Sequence, residues 1–89
     1  MEIKVKDILG GDITIEDAIL LREMVRNNLN VGVVLDFEGF KRVPTTFMTM
    51  LFGDLINSFG RELIFQQVNV KNLSNYTDYS RVVLGTTFR

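Results

Sequence analysis

The chain has 89 residues, 46% hydrophobic and 24% charged, which suits one globular domain (1–89) and leaves no room for a second folded unit. Ten Lys and Arg against eleven Asp and Glu give a net charge of -1, without the basic excess of a nucleic-acid binder. Cysteine and histidine are both absent, which removes disulfides, thiolate chemistry, the usual general base and the commonest metal ligands. The composition therefore points away from an enzyme and from any metal or cofactor.

In chain order, Ile3 and Val5 alternate with Glu2, Lys4 and Lys6, the period of a half-exposed strand, with lysines that suit a sheet edge. Gly10-Gly11 breaks the chain. Thr14 opens a helix with Glu16 and Asp17 in its first turn, where carboxylates complement the helix dipole. Ile15, Ala18, Leu21, Val25 and Leu29 form its apolar face, and Asn28 to Asn30 end it. Residues 31–37, VGVVLDF, read as a strand covered on both faces, with Glu38-Gly39 as the following turn. Val43-Pro44 then forces extended backbone ahead of a second helix, for which Thr45 or Thr46 can supply the N-cap. Phe47, Met48, Leu51, Phe52, Leu55, Ile56 and Phe59 repeat at helical spacing, and Gly60 ends the run. Residues 62–68, with Leu63, Ile64 and Phe65, read as a third strand. Ser74 is a candidate N-cap for a last helix carrying Tyr76, Tyr79, Val82 and Val83 to about Leu84, and 85–89 read as a tail.

The expected order is β-α-β-α-β-α: an α/β domain with a central mixed or parallel sheet, core about residues 2–84, and helices packed on one face. No run of apolar residues is long enough to span a membrane, and the N-terminus does not read as a signal peptide, so the expected compartment is the cytoplasm.

Residues 33–60, VVLDFEGFKRVPTTFMTMLFGDLINSFG, carry a resemblance. A buried strand ends in Leu-Asp-Phe, a Gly turn follows, a hydroxyl cluster opens a helix, and Gly closes it. The segment resembles the STAS domain of anti-sigma-factor antagonists and sulfate transporters. It is closer to the STAS-like family of bacterial and phage-associated proteins, in which a Ser-Phe pair opens the helix; here that pair is Thr46-Phe47. The resemblance covers 33–60 well and 13 to about 84 loosely. It implies a regulatory, non-enzymatic protein-interaction module. In the antagonists, a serine at the start of this helix is phosphorylated by a kinase of ATPase fold, which is also the anti-sigma partner. Aligned on Leu35-Asp36 that serine falls on Thr45; aligned on the Ser-Phe pair it falls on Thr46. Pro44 stands where the antagonists usually carry Asp, and Thr49 and Met50 stand where the STAS-like family often has acids.

Each singled-out residue has a structural and a functional reading. Thr45 and Thr46 serve as helix caps, or accept a phosphate that free N–H groups at a helix N-terminus would tolerate. Thr46, Thr49, Met50, Gly53, Asp54 and Asn57 lie opposite the apolar stripe, on a helix whose single charge is Asp54. That surface is either a docking site for a protein partner, or Met50 is partly covered by the Phe40–Val43 loop. Lys41 and Arg42 make a small basic spot beside it, either a solvated loop or an attraction for an acidic partner. Asp36 is read as a structural acceptor for its own turn. The alternative function is a self-associating homodimer, formed through a strand edge or the Met50 face.

Overall fold

The Glu2-Ile3-Lys4 alternation and the apolar run after Gly32 do form strands, and a third joins them in one parallel sheet. The computed structural model describes residues 1–9 and 13–84. Its elements are β1 (Glu2–Lys4), α1 (Val5–Leu9), α2 (Ile15–Arg26), β2 (Val33–Asp36), α3 (Thr45–Phe59), α4 (Arg61–Gln67), β3 (Val68–Lys71) and α5 (Tyr76–Leu84). The sheet order is β1-β2-β3, and both pairings are parallel. The Gly10-Gly11 break and the 85–89 tail lie outside the described residues.

Register explains which side of the sheet is covered. Ile3 pairs with Leu35, Leu35 with Val70, and Val33 with Val68, so these side chains share one face. Ile3, Val33, Leu35 and Val68 are buried against a core that includes Leu21, Val25, Leu51, Phe52, Leu55 and Tyr79 from the helices. The other face carries Glu2, Lys4, Asn69 and Lys71, all exposed, with Val34 half-buried between them. The expectation that β2 is covered on both faces is corrected here: α2, α3 and α5 pack side by side on one face only. Across the open face Lys71 Nζ meets Glu2 Oε2 at 2.9 Å, an exposed pair that contributes little to stability.

The third strand is also corrected. Residues 61–67 are helical, and the strand begins only at Val68. Leu63-Ile64-Phe65 is a short apolar run that cannot distinguish strand from helix, and only Ile64 of the three is buried. Val68-Asn69-Val70-Lys71 has the period-two alternation, with β-branched residues turned to the core. The N-terminal strand is likewise shorter than expected, because Val5 already begins α1.

Helix α2 starts where expected. Thr14 is its N-cap: its Oγ1 accepts from the Asp17 N–H at 3.2 Å, and Asp17 Oδ2 accepts from the Thr14 N–H at 3.1 Å, a complete capping box. Ala18, Leu21, Val25 and Leu29 are buried, but Ile15 is 61% exposed and does not belong to the core face. Helix α3 buries Phe47, Met48, Leu51, Phe52 and Leu55, while Phe59 is exposed at its end under the Arg26 guanidinium. Its N-cap is Pro44, with no side-chain cap, so Thr45 and Thr46 are its first two helical residues rather than its caps. Proline fixes the extended φ needed just before the helix, which moves the start one residue earlier than a threonine cap would.

At α5, Ser74 does not cap the helix. Its hydroxyl donates to the Lys41 carbonyl instead. Asn75 fastens the same loop, accepting from the Val43 N–H at 3.2 Å and donating to the Val43 carbonyl at 2.8 Å. The segment leading into α3 is thus held against the start of α5. Tyr79 packs edge-on against Phe52 at 5.4 Å and donates its hydroxyl to the Val68 carbonyl at 3.3 Å, and burial pushes its phenol well above the ordinary range.

Candidate functional site

Helices α2 and α3 run in the same direction side by side. Thr14 and Ile15 lie beside the start of α3, and Arg22 and Arg26 further along α2 reach Asp54 further along α3. Where the two helices begin, their outer surfaces enclose a groove of about 550 Å³. Met50, 37% exposed, and Ile15 form its apolar wall, with Ile13, Pro44 and Phe47 completing it. Thr45, Thr46 and Thr49 line its α3 side. Thr49 donates its hydroxyl to the Thr45 carbonyl at 3.0 Å, so this hydroxyl is turned back onto its own helix. Thr45 and Thr46 are exposed.

Gly53 is half-buried, one turn below Met50. A Cβ added there would meet nothing within 4 Å, so the space above the glycine is open. Asp54 is exposed and serves as the ionic link between the helices: Arg26 Nη2 donates to its Oδ2 at 2.8 Å. Asn57 is exposed one turn further on.

The basic pair does not line the groove. Arg42 is bound to Asp78 of α5 at 2.9 Å, and Lys41 stands exposed on the loop that Ser74 fastens. Asp36 is elsewhere, on the open face of the sheet at the carboxyl end of β2. It is only 4% exposed, and its Oδ1 accepts from the Glu38 N–H at 3.0 Å and from Asn72 Nδ2 at 2.8 Å. Register places Lys4 on one side of it and Lys71 on the other. The Asn72 bond, then the Glu38 N–H, outweigh burial and, helped by the lysines, hold the carboxyl below its ordinary range. Asp36 is therefore an ionised acceptor that fixes its turn, as the sequence suggests. The turn itself needs Gly39, because its φ of +98° is a backbone conformation that residues with a Cβ rarely adopt.

Sequence reasoning missed the α2 side of the groove. Ile15 and Ile19 stand four residues apart, both exposed, and make a second apolar stripe beside the core face. The visible signal was that α2 carries more apolar residues than one face needs. Among the described residues, no group of three or more His, Cys, Asp or Glu converges as a metal cage would require.

The parallel three-stranded sheet with helices packed on one face defines an α/β domain. The family model for the STAS-like domain of unknown function (DUF4325) matches residues 17–78, more than half of the chain, and the protein belongs to that family. No curated protein and no solved structure matches it. Among the described residues no helix is long and apolar enough to cross a membrane.

Proposed function

We propose that the protein is a non-enzymatic regulatory module of the cytoplasm that docks to a protein partner through α3 and the loop before it. The observation that carries this reading is the groove at the start of α2 and α3. It is apolar, it opens to solvent, and it is bordered by Thr45 and Thr46, the positions on which the phosphorylated serine of anti-sigma-factor antagonists falls, together with Met50 of the uncharged outer face of α3. Large apolar side chains left exposed together on a small domain mark interaction surfaces. The partner class that the resemblance implies is an ATPase-fold kinase of the anti-sigma type, with Thr45 or Thr46 as phosphoacceptor. Both hydroxyls border the groove, and a phosphate on either sets a dianion at its mouth, beside N–H groups that α3 leaves uncapped.

The test is affinity capture from the native host with wild-type and Met50→Asp baits, followed by phosphorylation of the bait with the captured partner and ATP. An ATPase-fold partner that the wild type retains, that Met50→Asp loses, and that Thr46→Glu also loses supports the reading. Equal recovery by all three baits overturns it. A light-scattering mass of two chains in the absence of any partner would favour the homodimer instead.

A further inference from the structure

The two edges of the sheet differ. On the β3 side, α4 packs against the strand and Tyr79 of α5 donates to the Val68 carbonyl. On the β1 side, no further strand follows among the described residues. The Val34 N–H donates to the Met1 carbonyl at 2.8 Å, so the parallel pairing with β2 uses the N–H and carbonyl of Ile3. Glu2 and Lys4 then direct theirs outward. The Lys4 carbonyl opens α1 at Val5, which leaves the Glu2 carbonyl and both N–H groups unpaired along the edge. Such a row is completed by an extended backbone laid beside it. Room for one exists: a furrow of about 520 Å³ flanks β1, with Ile8, 39% exposed, and Met24, half-buried, on its wall.

The side chains select the occupant. Glu2 and Lys4 are exposed on the same face, either side of Ile3. Glu2 is bound to Lys71 through one carboxylate oxygen, and Lys4 forms no ion pair among the described residues. We infer that a second copy of this chain pairs antiparallel with β1 about a two-fold axis at Ile3. In this register Lys4 stands opposite the partner's Glu2, and its N–H donates to the carbonyl of the partner's Glu2. Symmetry makes both contacts twice. An axis at Glu2 or at Lys4 would instead oppose like charges, so the edge is self-complementary in one register only. The two Ile3 side chains become neighbours on the helix side, where Ile8 and Met24 flank them. A net charge of -1 per chain offers little repulsion between copies. No residue of the α2/α3 groove takes part, so this inference goes beyond the docking reading and does not depend on it. A mass of two chains bears against docking only where Met50→Asp abolishes it.

Sedimentation of the full chain over a concentration series tests the pairing, with circular dichroism confirming that each variant is folded. The wild type should pass from one chain to two. Lys4→Glu and Glu2→Lys each set like charges opposite one another twice and should weaken self-association roughly tenfold or more. An equimolar mixture of these two variants restores opposite charges at every position and should recover the two-chain mass. Hydrogen exchange on the wild type gives a reading free of substitutions, since the Lys4 amide should slow as concentration rises. A single-chain mass at every concentration overturns the inference, as does a two-chain mass indifferent to both variants or a mixture that fails to recover it. A two-chain mass lost on Met50→Asp and kept by Lys4→Glu places the copies on the groove, and overturns both this inference and the docking of a different protein there.

Discussion

Met50 and Leu51 are neighbours on one helix, and the docking reading requires that they behave oppositely. Leu51 is 0% exposed and packs in the core between the sheet and its helices. Truncation to alanine should cost about 2–5 kcal/mol, the range for a buried leucine that leaves a cavity. A domain of this size has a total stability of about 4–13 kcal/mol, at 0.05–0.15 kcal/mol per residue. Leu51→Ala should therefore consume a large part of it and lower the Tm by roughly 10–30 °C. Leu51→Asp adds an unpaired buried charge worth several kcal/mol more and should leave the chain unfolded at room temperature. Met50 is 37% exposed at the lip of the groove, so Met50→Asp loses a partial contact and about 0.5 kcal/mol of helix propensity. Its urea midpoint should move by the equivalent of about 1 kcal/mol or less. Urea titration followed by circular dichroism at 222 nm, with the slope checked for constancy, reads both effects. Unfolding of Met50→Asp, or a loss beyond about 2 kcal/mol, would make Met50 a core residue and remove the docking surface. A loss of under about 1 kcal/mol for Leu51→Ala would contradict the core assigned to α3.

Two further outcomes test the local framework. Thr14→Ala removes one half of a complete capping box and should cost about 1 kcal/mol, read as a shift in the urea midpoint. The lowered pKa of Asp36 means that its stabilising contribution is fully present above the unfolded value near 3.9 and is lost as the pH falls through the folded value below it. Wild-type stability should therefore drop on acidification below about pH 4, and Asp36→Asn should be less stable at neutral pH with a flatter acid limb. An unchanged acid limb in that variant would show that other carboxyls govern acid unfolding.

Much of the fold was legible in the chain because it rests on local rules. The Thr14 cap with Asp17 three residues on, the helical repeat from Phe47 to Leu55, and Asp36 accepting from its own turn each depend on neighbours a few residues away. The run from Leu63 to Phe65 suits either structure by its period, and only packing into the core makes Ile64 the one that is buried. The cap of α3 was misread because proline and threonine both suit a helix start, and the backbone geometry at Pro44 decided between them.

The functional surface divides in the same way. Thr46, Thr49 and Met50 were visible as an uncharged outer face on α3, since a helix displays residues three and four apart together. Their partners on α2 were not, because Ile15 stands 35 positions earlier, and only the parallel packing of α2 on α3 sets it across the groove from Met50. The detachment of Lys41 and Arg42 from that surface was equally hidden: the ties from Ser74 to Lys41 and from Asp78 to Arg42 join residues more than thirty positions apart. Sequence determines periodicity, caps and turns, because these are set within one or two helical turns or a strand's length. Only tertiary structure decides which exposed faces meet, because that depends on how the strand order brings distant helices side by side.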